Sequence, residues 1–419
     1  MESPLQFYIF FKIKLWYNIE NNGEARYYEN MKYDFDTIIE RRGTNCIKYD
    51  KARAVNPDLP EDFIPLWIAD MDFACAKPIL DAARARLDHG ILGYTALADP
   101  AYFSAVTGWR RRRYGWDADA GQIVFSPGIV SALYAAVEYL TDPGDGVIVM
   151  TPAYGPFLGA IQFHGRKPVF NRLINDRGYY TVDFDDLEQK ATDKQNTLLF
   201  LCNPQNPTGR VFTQQELTRI GEICFANGVF VVSDEIHADL VRRGQRHIPF
   251  LKLFPNEKRA LACTAPSKTF NIAGNGHSNL FIPDATIRTG WAERRYSLHL
   301  SPLSLACAQA AYESGEEWLE QLIDYLDESF AQMKALLDAR LPKAVFRIPE
   351  GTYLGWVDLS AYESNEEALD RRVSEAGVFV QFGSDFVDNA NCFARINTAC
   401  PRSVLLEGLE RMCGAILKG

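Results

Sequence analysis

The chain has 419 residues, 47% hydrophobic and 23% charged, enough for a sizeable core in one large and one smaller domain. A formal net charge of −10 and an isoelectric point near 5.3 exclude a general polyanion binder, because nucleic-acid affinity rests on clustered lysine and arginine. Nine cysteines occur with no Cys-x-x-Cys and no metal-binding spacing, which reads as reduced core residues of a cytoplasmic protein.

The apolar run 7–11 is interrupted by Lys12 and Lys14, and no small-residue cleavage site follows, so neither a signal peptide nor a membrane span is expected. Residues 18–30 are polar and irregular, and Met31 looks like a fresh start. Residues 1–30 therefore read as a loose extension or a start codon placed too early. The arginines 110–113, between Trp109 and Tyr114, read as a solvated helix face rather than a nucleic-acid patch.

From Ile123 the pattern alternates strand with helix, the mark of βαβ units. A strand over 123–125 turns at Ser126-Pro127-Gly128, and Ile129, Val130, Leu133, Tyr134, Val137 and Leu140 fall at helical spacing. Strands are predicted over 146–150, 167–170, 198–202, 229–233 and 260–263, with a short helix over 157–164 and a longer one over 214–227 closed by Gly228. Three of these strands, at 198–202, 229–233 and 260–263, are continuous apolar runs, as expected of a parallel sheet covered on both faces. After Ser301-Pro302 come helices over 307–314 and 318–341, then strands over 345–348 and 353–359 and a closing helix over 404–417. The expected fold is α/β: a large domain, 76–310, with a mostly parallel central sheet flanked by helices, and a smaller α+β domain built from both chain ends, 31–75 and 311–419.

Chemistry-bearing residues recur where the apolar runs stop, at the carboxyl edge where open α/β sheets bind ligands. Lys268, after Ser267, can be desolvated and form a Schiff base, although alone it reads as a surface lysine. Asp234 ends a buried strand and needs a cationic or hydrogen-bonding partner, such as a protonated pyridine nitrogen, or else caps the next helix. Asn206-Pro207-Thr208-Gly209 is first of all a turn. Gly128-Ile129-Val130 opens a helix whose free N–H groups and dipole suit a phosphate. Tyr154 is either a packed core tyrosine or a ring that stacks on a planar cofactor.

Taken in this order, the residues resemble the fold-type I pyridoxal-phosphate enzymes of the class I/II aminotransferase superfamily, from about Tyr33 to the C-terminus. The chain looks most like the branch of cystathionine β-lyases and cysteine-S-conjugate β-lyases. The residues that carry this are Trp67-Ile68-Ala69-Asp70-Met71-Asp72-Phe73, His89-Gly90 before Gly93-Tyr94, Ser126-Pro127-Gly128, Thr151-Pro152-Ala153-Tyr154, Asn203-Pro204-Gln205-Asn206-Pro207-Thr208-Gly209, Ser233-Asp234-Glu235-Ile236-His237, Ser267-Lys268-Thr269-Phe270-Asn271-Ile272, and Arg395-Ile396-Asn397 with Cys400-Pro401-Arg402. His237 stands where relatives that only transaminate commonly carry tyrosine.

The resemblance implies pyridoxal 5'-phosphate linked to Lys268, which later moves the α-proton, with Asp234 keeping the ring nitrogen protonated. It implies Tyr154 and Ile236 on the two ring faces and Asn206 and His237 near the phenolic oxygen. The N–H groups of Gly128, Ile129 and Val130, with Ser267, would take the phosphate, and Arg395 the substrate α-carboxylate. It also implies a homodimer with shared active sites, in which Tyr94 reaches the phosphate of the neighbouring subunit. The implied reaction is α,β-elimination from an L-cysteine thioether such as cystathionine, with class I/II transamination as the alternative. Two departures stand out: Gly276 occupies the position eight after the lysine where aminotransferases often carry a phosphate-binding arginine, and the stretch 274–279 is polar where the branch tends to be apolar.

Overall fold

The computed structural model describes residues 32–97, 99–294, 298–388 and 390–418. The expected extension, residues 1–30, lies outside them. The chain divides into a unit Met1–Asp34 and a unit Phe35–Gly419. All regular helices and strands among the described residues lie in the second.

In chain order, α1 (Lys77–Asp88) and α2 (Pro100–Tyr114) precede a seven-stranded sheet of β1 (Ile123–Ser126), β2 (Gly146–Thr151), β3 (Lys167–Arg172), β4 (Asn196–Cys202), β5 (Phe230–Asp234), β6 (Ala260–Thr264) and β7 (Ser278–Phe281). Helices α3 (Ile129–Leu140), α4 (Gly155–Phe163) and α5 (Gln214–Asn227) lie between its strands in sequence. The strand order is β1-β7-β6-β5-β4-β2-β3. Strand β7 is antiparallel to both neighbours and the other pairs are parallel. Strands β2, β5 and β6 are buried along their whole length, which explains their unbroken apolar sequence: both faces are covered, so no polar alternation is needed. Helix α5 starts at a capping box of Thr213 and Glu216 and stops at Gly228 in the left-handed conformation, as the sequence predicts.

Beyond the sheet, α6 (Pro302–Ser314) and α7 (Glu316–Arg340) lead into a second, antiparallel sheet of β8 (Val345–Phe346), β9 (Leu354–Asp358), β10 (Gln381–Phe382) and β11 (Phe393–Asn397), ordered β8-β9-β11-β10. Helices α8 (Glu366–Glu375) and α9 (Arg402–Ile416) complete this part. Near the start of the chain, Ile64 and Pro65 pair in parallel with Val378 and Phe379. Leu66 is buried in the same cluster as Phe330, Met333, Val357 and Ile396. The expected α/β architecture, with a smaller α+β part drawing on both chain ends, is what the chain adopts.

The arginine run 110–113 is a solvated face only at Arg111 and Arg112. Arg110 is buried, its guanidinium over the rings of Tyr114 and Tyr312 at 5.5 and 5.9 Å. Arg113 pairs with Glu316 and Glu320, and Arg112 with Glu316 at 3.3 Å, so these two tie α2 to α7, while Arg111 pairs with Asp117 at 2.6 Å. The polar stretch 274–279 also has a physical reason. His277 Nε2 lies 2.5 Å from the Tyr102 hydroxyl, which donates to Asn279 Oδ1, and Asn279 Nδ2 donates to the Tyr312 hydroxyl. Gly276 has a positive φ of 57° and would place a Cβ 3.2 Å from the Pro127 carbonyl oxygen, so a side chain there is strained and crowded.

The turn at Asn206 is held by close backbone approach. Gly209 has φ 72°, and a Cβ on it would stand 2.2 Å from Pro349 Cβ. Its carbonyl accepts from Gly351 N–H at 2.9 Å. Gly209→Ala is expected to destabilise the protein by about 2–4 kcal/mol, combining left-handed strain with overpacking. Urea unfolding measures this, and an unchanged midpoint would contradict the packing described.

Candidate active site

Three neighbouring strands end together: Cys202, Asp234 and Cys263 stand in register across β4, β5 and β6. Asp234 is the last residue of β5, one beyond the predicted strand, and its carboxylate is buried. Oδ1 accepts from Ile236 N–H at 3.1 Å. Burial pushes the carboxyl up to about 7, the neighbouring Glu235 adds to this, and Lys268 opposes both. Among the described residues no cation forms an ion pair with it. A buried carboxylate at that cost fits a ligand that brings its own proton-bearing nitrogen.

Lys268 lies in the turn after β6, and its Nζ donates to the carbonyl oxygen of Ala69. Burial brings the amine down to about 8; Asp70 and Asp234 oppose the shift and Arg395 adds to it. Arg395, on β11, is buried. Its Nη1 donates to Asn206 Oδ1 at 3.0 Å, and its Nη2 to the Trp67 carbonyl at 2.9 Å and to Gln381 Oε1. Its Nε has no partner, and burial lowers its proton affinity to about 10. A guanidinium held by neutral acceptors, with its Nε–H left over, fits an anionic ligand such as a carboxylate.

His237 is buried, and among the described residues its Nδ1 has no partner. Burial, with Lys268 and Arg395 acting in the same sense, holds the imidazole down to about 3, so it is neutral at physiological pH. Tyr154 is half-buried just past β2, its backbone paired with Phe386. Ile236 packs against the core of the large sheet. Ser267 is half-buried in the turn before Lys268. Gly128 precedes α3 with φ 152°, no side chain caps that helix, and no atom lies within 4 Å of where a Cβ would stand. Ile129 and Val130 form the first turn, so this is an open cradle of backbone donors suited to a phosphate. Tyr94 stands apart: it is 93% exposed, with its ring 5.2 Å from that of His299.

The residues 67–70 link these groups in a way the sequence does not announce. Their carbonyls accept from Arg395 at Trp67, from Asn397 at Ile68 and Asp70, and from both Lys268 and Tyr353 at Ala69. Asn271 bonds Met71 and Phe73 from the other side. Lys48 and Arg41 fix Asp72, each at 2.7 Å. Tyr353 and Gln381 are additions to the site; a buried tyrosine at the start of an apolar strand is too common a pattern to single out from sequence.

The sequence model of the family described as aminotransferase class I and II matches residues 61–412. The chain belongs to this family. It is 39% identical over 388 residues to cystathionine beta-lyase PatB of Bacillus subtilis, covering 91% of this chain and all of that one. It is 30% identical over 389 residues to the Escherichia coli protein MalY, covering 92% and 99%. Among solved structures, the PLP-bound C-S lyase of Staphylococcus hominis superposes with a TM-score of 0.88 at 39% identity, covering 93% of this chain and 99% of that one. Cystalysin of Treponema denticola, whose crystals contain pyridoxal 5'-phosphate, gives 0.89 at 35% identity, covering 93% and 100%.

For a family member with this arrangement, the state of Asp234 has a measurable sign. A carboxyl raised in the folded state contributes stability below its unfolded pKa, and loses it as pH rises through about 7. In the cofactor-free chain, Asp234→Asn should therefore be more stable than the parent at pH 8 by roughly 4 kcal/mol, with little difference at pH 4. The same variant should bind pyridoxal 5'-phosphate more weakly. Equal stability of the two chains at pH 8 by urea unfolding would contradict an unpaired buried carboxylate.

Proposed function

We propose that this protein is a pyridoxal 5'-phosphate-dependent carbon–sulfur β-lyase. It cleaves cystathionine or a related L-cysteine thioether by α,β-elimination and releases a thiol, pyruvate and ammonia. The observation that carries this reading is that Lys268 and Asp234, at the edge of the large sheet, meet Arg395 from the small sheet, in a chain that matches named C–S lyases along almost their whole length.

When bound, the cofactor supplies a conjugated ring that draws in the electron pair left at the substrate Cα. Asp234 would hold the proton on the ring nitrogen, Tyr154 and Ile236 would flank the ring, and Asn206 and His237 would lie toward its phenolic oxygen. His237, being neutral, brings no charge of its own. Gly128, Ile129 and Val130 would hold the phosphate through backbone N–H groups, helped by Ser267. Without an arginine at Gly276, this cradle rests on dipoles and hydroxyls.

Arg395 would orient the substrate through its α-carboxylate. Lys268 would take the Cα proton, and an amine brought down to about 8 has a useful neutral fraction near physiological pH. Departure of the thiolate from Cβ needs no oxo-acid acceptor.

The same reading includes a homodimer in which Tyr94 serves the phosphate of a second copy. The exposed apolar residues Leu87, Ile91 and Leu92 beside Tyr94 support it. It also divides the chain near residues 75 and 310, which the pairing of Ile64 and Pro65 with Val378 and Phe379 supports. A cytoplasmic location agrees with nine free cysteines. Among the described residues no helix is long and apolar enough to cross a membrane.

Incubation with L-cystathionine and no oxo acid should release pyruvate and homocysteine. Lys268→Ala should abolish this. Arg395→Lys should raise KM on the order of 100-fold with a smaller effect on kcat, because the bidentate fork is lost. Oxo acid formed only when 2-oxoglutarate is supplied, with no pyruvate from a panel of cysteine thioethers, would replace the reading with an aminotransferase.

A further inference from the structure

The Ala69 carbonyl oxygen accepts two hydrogen bonds, from Lys268 Nζ and from the Tyr353 hydroxyl at 3.0 Å. Tyr353 is fully buried, and the structure fixes it with unusual care. Its own carbonyl accepts from Thr398 N–H at 2.9 Å and from the Thr398 hydroxyl at 3.0 Å. The residue before it, Thr352, is buried with φ 70°, a conformation a β-branched side chain rarely adopts. That strain is held by Thr352 N–H donating to the Leu240 carbonyl at 2.7 Å and by Leu354 N–H donating to Thr352 Oγ1 at 3.1 Å. Strained backbone persists where the surroundings over-determine it, and such positions cluster at functional sites. Here the strained residue aims the phenol at the oxygen on which the lysine rests.

We propose that Tyr353 is a positioning residue for Lys268: its hydroxyl fixes the Ala69 carbonyl as the acceptor for the lysine whenever it is not linked to the cofactor, and its O–H dipole biases that free lysine toward the neutral amine. Both donors point their positive ends at one oxygen, so the phenol's hydrogen faces the ammonium. This disfavours the charged form of the lysine. Burial pushes the Tyr353 phenol well above its usual range, so it stays a donor throughout the working pH. The other charged groups acting on Lys268 are Asp70, Asp234 and Arg395. Asp70, Arg395 and Tyr154 act on Tyr353, and its ring meets that of His237 edge-on at 6.1 Å. The consequence is a lysine that, once freed from the cofactor, has a larger neutral fraction and an acceptor that keeps it aimed. This rests on the reading of Lys268 as the cofactor-linked base.

The test is trace acetylation of the full, cofactor-stripped chain across pH, with the Lys268 peptide quantified by mass spectrometry. This readout does not depend on turnover. In Tyr353→Phe the labelling midpoint of Lys268 should rise by about half a pH unit or more, because the opposing dipole is gone. In Tyr180→Phe, where a buried hydroxyl accepts from Trp356 instead, it should not move. A chain carrying 3-fluorotyrosine at position 353, which keeps the ring and donates more strongly, should move the midpoint down even if Tyr353→Phe folds poorly. In the loaded enzyme the acid limb of kcat should shift in the same direction as the label. An unchanged Lys268 midpoint with fluorotyrosine at 353, or an equal shift in Tyr180→Phe, would overturn the proposal. A shifted midpoint in a chain that releases no pyruvate would leave the coupling standing and remove only the lyase reading.

Discussion

Four consecutive backbone carbonyls, at residues 67–70, receive the hydrogen bonds on which the site depends. Arg395 and Asn397 reach them from the small sheet, Lys268 from the turn beyond the large sheet, and Tyr353 from the start of β9. Because the donors come from three separate parts of the chain, the segment works as a shared template. If it moved, the lysine and the arginine would lose their relative placement together. Asn271, Lys48 and Arg41 hold it from behind through Met71, Phe73 and Asp72.

The charges on this template are left incomplete in a definite pattern. Among the described residues Asp234 forms no ion pair, and Arg395 is buried against neutral acceptors with its Nε–H unpartnered. Buried charge is expensive unless it is paired, so the site is arranged for a ligand that brings a cation to one place and an anion to the other. A pyridine ring nitrogen and an amino-acid carboxylate have those charges. The open helix start at Gly128 adds a place for a third, the phosphate, without another buried cation.

Much of this was legible because strand ends leave sharp traces in sequence. The unbroken apolar runs marked the parallel strands, and the polar residues that follow them marked the edge where Asp234, Asn206 and Lys268 stand. What escaped notice depends on tertiary packing. The arginines 110–113 read as solvated because charge runs usually are, and Arg111 and Arg112 are exposed, yet Arg110 is buried against Tyr114 and Tyr312, and Arg112 and Arg113 pair with glutamates on α7. Tyr353 and the carbonyls of 67–70 carry no local signature, since a backbone oxygen looks alike at every position and only the fold decides which donors reach it. The polar stretch 274–279 became intelligible once His277 and Asn279 were seen to meet Tyr102 and Tyr312, partners far away in sequence.

The central claim is that Lys268, held at the Ala69 carbonyl, is the residue that carries the cofactor. The most direct measurement is borohydride reduction of the purified protein loaded with pyridoxal 5'-phosphate, followed by peptide mapping by mass spectrometry. The account predicts a single reduced pyridoxyl adduct on the peptide containing Lys268. An adduct on another lysine, or none on a protein that retains its fold, would contradict it.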